Sequence, residues 1–155
     1  MKVLVATEKP FAKAAVDGIR KIVEEAGHKL VLLEKYTSTD QLLEAVADAD
    51  ALIVRSDKVT ADVVAAAPKL KIVVRAGAGF DNLDLAACTE KGIVAMNTPG
   101  QNSNAVAELV FGMLIYLQRA GFSGASGSEL KGKKLGLHAF GNIGKIVANI
   151  AKGFG

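Results

Sequence analysis

Residues 51–74 read ALIVRSDKVTADVVAAAPKLKIVV and contain the repeating unit of the fold. An apolar run, Ala51–Val54, opens this segment, and a second apolar run, Ile72–Val74, closes it. Between the two runs, Ala61–Ala67 has the pattern of a short helix, which ends at Pro68 because proline cannot continue it. Short apolar runs joined by a helix are typical of parallel strands that are buried on both faces.

The same alternation of strands and helices extends to both sides of this unit. It predicts an α/β protein with a parallel sheet and right-handed crossovers. Five strands favour the flavodoxin-like strand order 2-1-3-4-5. The predicted strands are Val3–Ala6, Leu30–Leu33, Ala51–Val54, Ile72–Val74 and Ile93–Met96. The predicted helices between them are Phe11–Ala26, Thr39–Ala47, Ala61–Ala67 and Leu83–Lys91.

The alternation stops at Asn97–Asn104, which contains Pro99 and Gly100. A nearly continuous apolar helix is predicted next, from Ala105 to about Arg119. Gly121–Gly127 then reads GFSGASG, which is the composition of a flexible linker. The sequence therefore predicts a first domain over residues 1–104, a connecting helix over 105–120, a linker over 121–134 and the start of a second domain over 135–155.

The last segment carries a dinucleotide-binding fingerprint, Ala139-Phe140-Gly141-Asn142-Ile143-Gly144. The run Lys134–His138 before it predicts a strand, and Lys145–Phe154 after it predicts a helix. In this setting glycines let a pyrophosphate approach the free N–H groups at the start of the helix. Ala139 stands in place of the first glycine of the fingerprint, and alanine fits such a turn if φ stays negative.

Composition excludes several classes of partner. The net charge is only +3 and no run of five basic residues occurs, so we expect no nucleic-acid binding. The longest apolar segment, Ala105–Leu117, contains Glu108 and is too short to span a bilayer, so we expect no membrane insertion. The single cysteine, Cys88, fits a reducing compartment, and we expect a cytoplasmic protein. With two distant histidines, His28 and His138, it makes no metal-ligand set.

Cations, hydroxyls, amides and glycine turns follow the carboxyl ends of four predicted strands. Ligands of open parallel sheets bind at that edge, and arginine and glycine turns offer donors to carboxylate or phosphate. The alternative is a set of ordinary polar loops, in which Arg55 and Arg75 are solvated or ion-paired and glycines only permit tight turns. We favour an anion site, built from Thr7–Pro10, Arg55–Lys58, Arg75–Asn82 and Asn97–Asn102.

Four motifs in this order and spacing resemble those of the D-isomer-specific 2-hydroxyacid dehydrogenases. They are Val54-Arg55-Ser56, Val74–Asn82, Met96–Asn102 with Ala107-Glu108-Leu109, and Phe140-Gly141-Asn142-Ile143-Gly144. The resemblance covers the whole chain but only the amino-terminal half of the family's enzyme. It implies a flavodoxin-like substrate domain, a long helix that crosses to a Rossmann domain, and hydride transfer between a small phosphorylated or carboxylated acid and NAD.

The resemblance also implies roles for single residues. Those expected at the substrate, or in the case of the two arginines and the serine at a neighbouring subunit, are Arg55, Ser56, Arg75, Ala76, Gly77, Ala78, Gly79 and Asn102. Those expected at NAD are Val106, Gly141, Asn142, Ile143 and Gly144. The family's catalytic arginine, glutamate and histidine, and the acidic residue that holds the adenosine ribose, are expected beyond residue 155, so no catalytic residue is assigned.

Two hypotheses about function follow. The first is a truncated dehydrogenase with one strand-turn-helix unit of its Rossmann domain, which would not turn over alone. The second is a stand-alone anion-binding or scaffold module that keeps the fold without the chemistry. A phosphoacceptor receiver domain shares the topology, but Thr7-Glu8-Lys9 and Arg55-Ser56-Asp57 do not supply its acidic cluster. The uncovered apolar helix and the unit Leu135–Gly155 predict a homodimer.

Overall fold

Five parallel strands form one sheet, whose members are β1 (Lys2–Thr7), β2 (Lys29–Glu34), β3 (Ala51–Val54), β4 (Ile72–Arg75) and β5 (Val94–Asn97). Their order is β2-β1-β3-β4-β5, which confirms the predicted flavodoxin-like arrangement. The computed structural model describes all residues, 1–155, and divides them into two units, Met1–Pro99 and Gly100–Gly155. The sheet belongs to the first unit.

Six helices accompany the strands, with ends close to those predicted from the sequence. In the first unit they are α1 (Lys13–Glu25), α2 (Thr39–Val46), α3 (Ala61–Ala65) and α4 (Leu85–Glu90). In the second unit they are α5 (Ser103–Gln118) and α6 (Asn142–Phe154), with a 3-10 turn at Ala120–Phe122. None of them has the combination of length and apolar sequence that a bilayer-crossing helix requires.

The strands read as continuous apolar runs because both faces of the sheet are covered. Along β1, Val3 and Val5 belong to the apolar cluster on the α1 side, whereas Leu4 and Ala6 belong to the cluster on the side of α2, α3 and α4. This alternation is the period of two that a strand imposes on its side chains. Burial of each valine or leucine side chain in these clusters stabilises the fold by about 2 kcal/mol.

The sheet is less well covered at its β5 edge. Val94 and Met96 are 55% and 50% exposed, although both lie in a strand. The opposite edge strand, β2, carries charged residues at both ends, Lys29 and Glu34.

In the second unit, α5 and α6 pack against each other around Ala107, Phe111 and Val147. The Phe111 and Phe154 rings stack with centroids 5.0 Å apart. The strand predicted over Lys134–His138 is wrong, because these residues adopt no regular structure. A strand needs a neighbouring strand to accept its hydrogen bonds, and the second unit contains no other strand that could pair with it.

Candidate functional site

The loops after β3, β4 and β5 lie side by side at the carboxyl edge of the sheet. Arg75, the last residue of β4, is in register with Val54 of β3 and with Asn97 of β5. Arg55 and Ser56, which follow Val54, are both exposed. The structure therefore brings together the substrate-site residues that the sequence predicts within the first unit.

The Arg75 side chain folds back over this edge instead of extending into solvent. Its Nε donates a hydrogen bond of 2.8 Å to the backbone carbonyl of Arg55. Its guanidinium lies against Gly77, where an added Cβ would overlap Nη1. Only a residue without a side chain leaves room for the arginine in this position, so the glycine has a packing role here.

Two hydrogen bonds fix the loop that follows Arg75. The side-chain amide of Asn97 donates to the carbonyl of Ala78 at 2.7 Å, and Thr98 N–H donates to the carbonyl of Gly77 at 2.9 Å. These bonds tie the loop to the end of β5. The loop is thereby restrained by bonds within the protein itself.

The same loop leaves two backbone donors free. Ala76 and Gly77 N–H groups already donate to backbone carbonyls, each at 2.8 Å. The N–H groups of Ala78 and Gly79 make no hydrogen bond in the structure. Of the four residues predicted to hold a carboxylate through their backbone, these two therefore have unused donors.

The Asp57 side chain accepts hydrogen bonds from residues that follow β1, β2 and β3. It is buried, and its Oδ1 accepts hydrogen bonds of 2.7 Å from Glu8 N–H and from the Tyr36 hydroxyl. Its Oδ2 accepts a longer bond, 3.4 Å, from Arg55 N–H. Burial of the phenol, and then its hydrogen bond to the Asp57 carboxylate, raise the pKa of Tyr36 far above its ordinary value. Tyr36 thus stays a neutral donor at physiological pH.

No pattern in the sequence indicates this arrangement around Asp57. A polar residue two positions after a strand is ordinary in a loop, and its partner Tyr36 lies 21 residues earlier in the chain. Only the parallel pairing of β1, β2 and β3 brings the two together. A buried carboxylate needs such donors, but its burial is not visible in the sequence.

The remaining predicted residues lie in the second unit. Asn102 precedes α5 and is exposed, and Val106 is half-buried in the first turn of that helix. The start of α5 adjoins the fingerprint turn, because Asn142 Nδ2 lies 3.4 Å from the position that a Cβ on Gly100 would occupy. The structure thus places the start of α5 near the fingerprint turn within this unit.

The fingerprint turn has the open space that a pyrophosphate requires. Gly141 is the N-cap of α6, and an added Cβ would meet no atom within 4 Å. Asn142, Ile143 and Gly144 N–H groups, in the first turn, make no hydrogen bond, and no acidic side chain lies in that turn. Free N–H groups at a helix start attract phosphate oxygens, so these residues fit the diphosphate of a dinucleotide.

Gly144 and Ala139 shape the inner side of the same turn. A Cβ on Gly144 would lie 2.6 Å from the Ala139 carbonyl oxygen, so this glycine allows the helix to pack on the preceding backbone. Ala139 has φ +77°, so the condition of a negative φ, under which alanine fits such a turn, is not met. Its backbone adopts the left-handed region that costs an L-residue roughly 1–2 kcal/mol.

Neither histidine side chain forms a hydrogen bond with the residues of these sites. His138 is exposed in a bend before the fingerprint, and His28 is half-buried after α1 with its Nδ1 buried and without a partner. Neither is near a group of side chains that could hold a metal ion. Cys88 is a buried free thiol in α4, and its burial, followed by the nearby Asp84 carboxylate, raises its pKa.

Comparison with known proteins identifies the family. The model of the D-isomer specific 2-hydroxyacid dehydrogenase catalytic domain matches residues 6–153. The chain therefore belongs to this family, as its four motifs indicated.

Among individual relatives, human D-3-phosphoglycerate dehydrogenase is 44% identical over 151 residues, which is 88% of this chain and 28% of the human protein. Hydroxypyruvate reductase of Thermotoga maritima is 41% identical over 141 residues, 82% of this chain and 46% of that protein. The chain thus spans less than half the length of these curated relatives.

A solved structure of a similar protein has the same fold as this chain. The NAD+-bound 3-phosphoglycerate dehydrogenase of Entamoeba histolytica is 54% identical and superposes with a TM-score of 0.95. The match covers all of this chain and 51% of that one.

Proposed function

We propose that this chain supplies the substrate domain and the first nucleotide-binding turn of an NAD-dependent D-3-phosphoglycerate dehydrogenase. In this proposal residues 1–104 form the substrate-binding domain, and residues 135–155 begin the NAD-binding domain. Residues 105–120 form the helix that connects the two domains, and residues 121–134 form a linker. The observation that carries it is the edge formed by Arg55, Arg75 and the free N–H groups of Ala78 and Gly79. The names of the similar phosphoglycerate dehydrogenases support the choice of substrate.

The substrate carries two anionic groups, and the edge offers two kinds of donor. The N–H groups of Ala78 and Gly79 suit the carboxylate, because neighbouring backbone donors can bind its two oxygens. Arg55, Ser56 and Arg75 suit the phosphate, because guanidinium groups donate in pairs to its oxygens. The Asn102 side chain forms no capping hydrogen bond with α5, and we propose that its amide group donates a hydrogen bond to the substrate.

For NAD, the fingerprint turn supplies the pyrophosphate site. Gly141 leaves space for the diphosphate, and the first N–H groups of α6, from Asn142 to Gly144, donate to it. Val106, half-buried at the start of α5, is proposed to face the nicotinamide. Held by these residues, NAD would supply the acceptor for the hydride on the carbon that bears the substrate hydroxyl.

Binding without turnover is the activity proposed for these 155 residues alone. Removal of the hydroxyl proton during hydride transfer requires a base held in position, commonly a histidine oriented by a carboxylate. Neither His28 nor His138 forms an ion pair or hydrogen bond with a carboxylate in this chain.

An amide NMR titration with 3-phosphoglycerate tests the proposal. We expect millimolar binding with shifts at Arg55, Ser56 and the loop from Arg75 to Asn82. Arg75→Gln should weaken binding by about tenfold, because it removes a charged donor pair. Arg20→Gln, the same charge change on α1, is the matched control.

Two results would count against this assignment. No shift at millimolar ligand would favour the alternative, a stand-alone scaffold or dimerisation module that keeps the fold. A rise in absorbance at the NADH wavelength, on adding NAD and substrate to the chain, would contradict the proposed lack of turnover.

A homodimer is part of the proposal. On α5, Leu109, Met113, Tyr116 and Leu117 follow one another at helical spacing and are 51–67% exposed. The opposite side of the helix packs within the second unit. An uncovered apolar stripe of this kind favours association, and a second copy offers a matching stripe.

We further propose that the protein acts in the cytoplasm, in serine biosynthesis. A free thiol such as Cys88 suits a reducing compartment. Oxidation of 3-phosphoglycerate supplies the carbon skeleton for that pathway, so this placement depends on the proposed substrate.

A further inference from the structure

A cavity of about 380 Å³ opens at the carboxyl ends of β1 and β3, on the other side of β3 from the Arg75 edge. From β1 the chain passes to β2 on one side, and from β2 it returns past β1 to β3. The sheet therefore reverses its direction of winding at this point. Crevices at such switch points are where open α/β sheets bind ligands.

The floor of the cavity is held rigid by hydrogen bonds. Buried Asp57 joins Glu8 after β1 to Tyr36 after β2, each by a bond of 2.7 Å. Asn82 Nδ2 donates to the Asp57 carbonyl at 2.7 Å, and Thr7 Oγ1 donates to the Lys9 carbonyl at 2.7 Å. Loops from separate strands thus keep a fixed spacing, as a preformed site requires.

The rim of the cavity carries two cations that form no ion pair within the protein. Lys9 and Lys58 both line it, and neither ammonium group forms an ion pair. Besides Thr7 and Tyr36, three more hydroxyl side chains line the cavity, those of Thr39, Ser56 and Thr60. None of these three hydroxyls donates a hydrogen bond to the protein, so each keeps its donor for a ligand.

Acidic groups at the cavity limit what it can accept. The Asp57 carboxylate already accepts three hydrogen bonds. Glu8, the other acidic residue of the lining, is exposed and can accept a hydrogen bond from a ligand hydroxyl. A ligand with a doubly charged head and a hydroxylated tail would match two ammonium groups, several hydroxyls and one carboxylate.

We propose that this cavity binds a small hydroxylated phosphate monoester, with its phosphate at Lys9 and Lys58 and a hydroxyl at Glu8. A phosphate ester carries close to two negative charges at neutral pH and three acceptor oxygens. The volume suits a ligand of a few carbon atoms. This cavity takes Thr7, Glu8, Lys9 and Lys58 out of the single anion site that the sequence predicts, and Ser56 is the residue that borders both the cavity and the proposed substrate edge.

Amide NMR titration of the full chain with sn-glycerol 3-phosphate tests this inference. We expect shifts centred on Glu8, Lys9 and Lys58. Lys9→Gln and Lys58→Gln should each weaken binding about fivefold or more, because each removes one charged partner of the phosphate. Lys91→Gln is the matched control, an exposed lysine at the opposite edge of the sheet, after α4 and before β5.

Further measurements separate this site from the Arg75 edge and from unspecific effects. Arg75→Gln should leave the shifts that glycerol 3-phosphate causes at Glu8, Lys9 and Lys58 unchanged, and uncharged glycerol should cause no comparable shift there. Shifts confined to the Arg75–Asn82 loop and lost in Arg75→Gln would overturn the cavity proposal while supporting the substrate edge. Equal binding by both lysine variants, equal shifts with glycerol, or no shift up to about 10 mM ligand would also overturn it.

Discussion

Arg75 and Gly77 show how two residues can depend on each other without being bonded. The arginine reaches the Arg55 carbonyl only because Gly77 has no side chain to displace its guanidinium. Sequence patterns identified both residues as site candidates. They could not show that one makes room for the other, because that depends on a side-chain rotamer.

We expect Gly77→Ala to lower the free energy of unfolding by about 1 kcal/mol, since the new methyl group displaces Arg75 from its hydrogen bond. In an Arg75→Ala background the same change should cost almost nothing. Urea denaturation of the four proteins in this double-mutant cycle gives the coupling. Gly79→Ala is the control, because its methyl group would meet only the flexible Asp81 carboxylate. Equal losses in both backgrounds would contradict the pairing.

Ala139 offers a second test at this scale. Ala139→Gly should stabilise the protein by roughly 0.5–1 kcal/mol, because the left-handed backbone costs alanine more than the freer unfolded chain costs glycine. Ala15→Gly, on exposed α1, should instead destabilise by about 1 kcal/mol. Thermal unfolding of both variants checks the sign. A destabilised Ala139→Gly would show that this backbone is not strained.

At the scale of elements, the strands were the easiest part to predict. Continuous apolar runs such as Ala51–Val54 predict buried parallel strands, and each observed strand begins and ends within one residue of its prediction. The failure at Lys134–His138 has a clear cause. Its apolar sequence suits a strand, but a strand exists only with a partner, and pairing is a property of the surrounding chain.

The turn before α6 separates two roles of glycine. Gly144→Ala should destabilise the second unit by about 1–3 kcal/mol, because the methyl group would overlap the Ala139 carbonyl. Gly141→Ala should change stability by less than about 1 kcal/mol, since its methyl group would point into open space.

The two glycine variants should also differ in ligand binding. Gly141→Ala should abolish the shifts that NAD causes in the first turn of α6, because the methyl group occupies the space of the pyrophosphate. Differential scanning calorimetry and amide NMR provide the two readouts. A destabilised Gly141→Ala together with a stable Gly144→Ala would reverse this assignment.

At the scale of the whole molecule, the structure divides into the units Met1–Pro99 and Gly100–Gly155, and the assignment of residues 1–104, 105–120, 121–134 and 135–155 to separate roles stays a prediction. Family membership follows from motifs distributed along the chain, so it could be predicted. Which part binds substrate and which binds NAD stays a prediction, as does the assignment of each site residue. Those questions concern ligands, and their answers depend on binding energies that no sequence pattern contains.

The exposed stripe on α5 predicts a dimer that one charge can break. We expect light scattering to give the mass of two chains at micromolar concentration and above. Leu109→Glu should give a single-chain mass, because burying an unpaired carboxylate in an apolar interface is costly. Ile22→Glu, at a 70% exposed position on α1, should remain dimeric. A single-chain mass for the unchanged protein across a concentration series would reject the dimer.

The β5 edge would support association of a different kind from the proposed α5 dimer. Pairing through the α5 stripe would stop at two copies, because each copy would cover the stripe of the other. A bare strand edge is open-ended, since each added strand presents a new row of unpaired N–H and C=O groups. The β5 sequence, Val94-Ala95-Met96-Asn97, has no charged or proline residue to discourage such addition. Aggregation of this protein would therefore begin at β5, and a lysine placed there is the change that would oppose it.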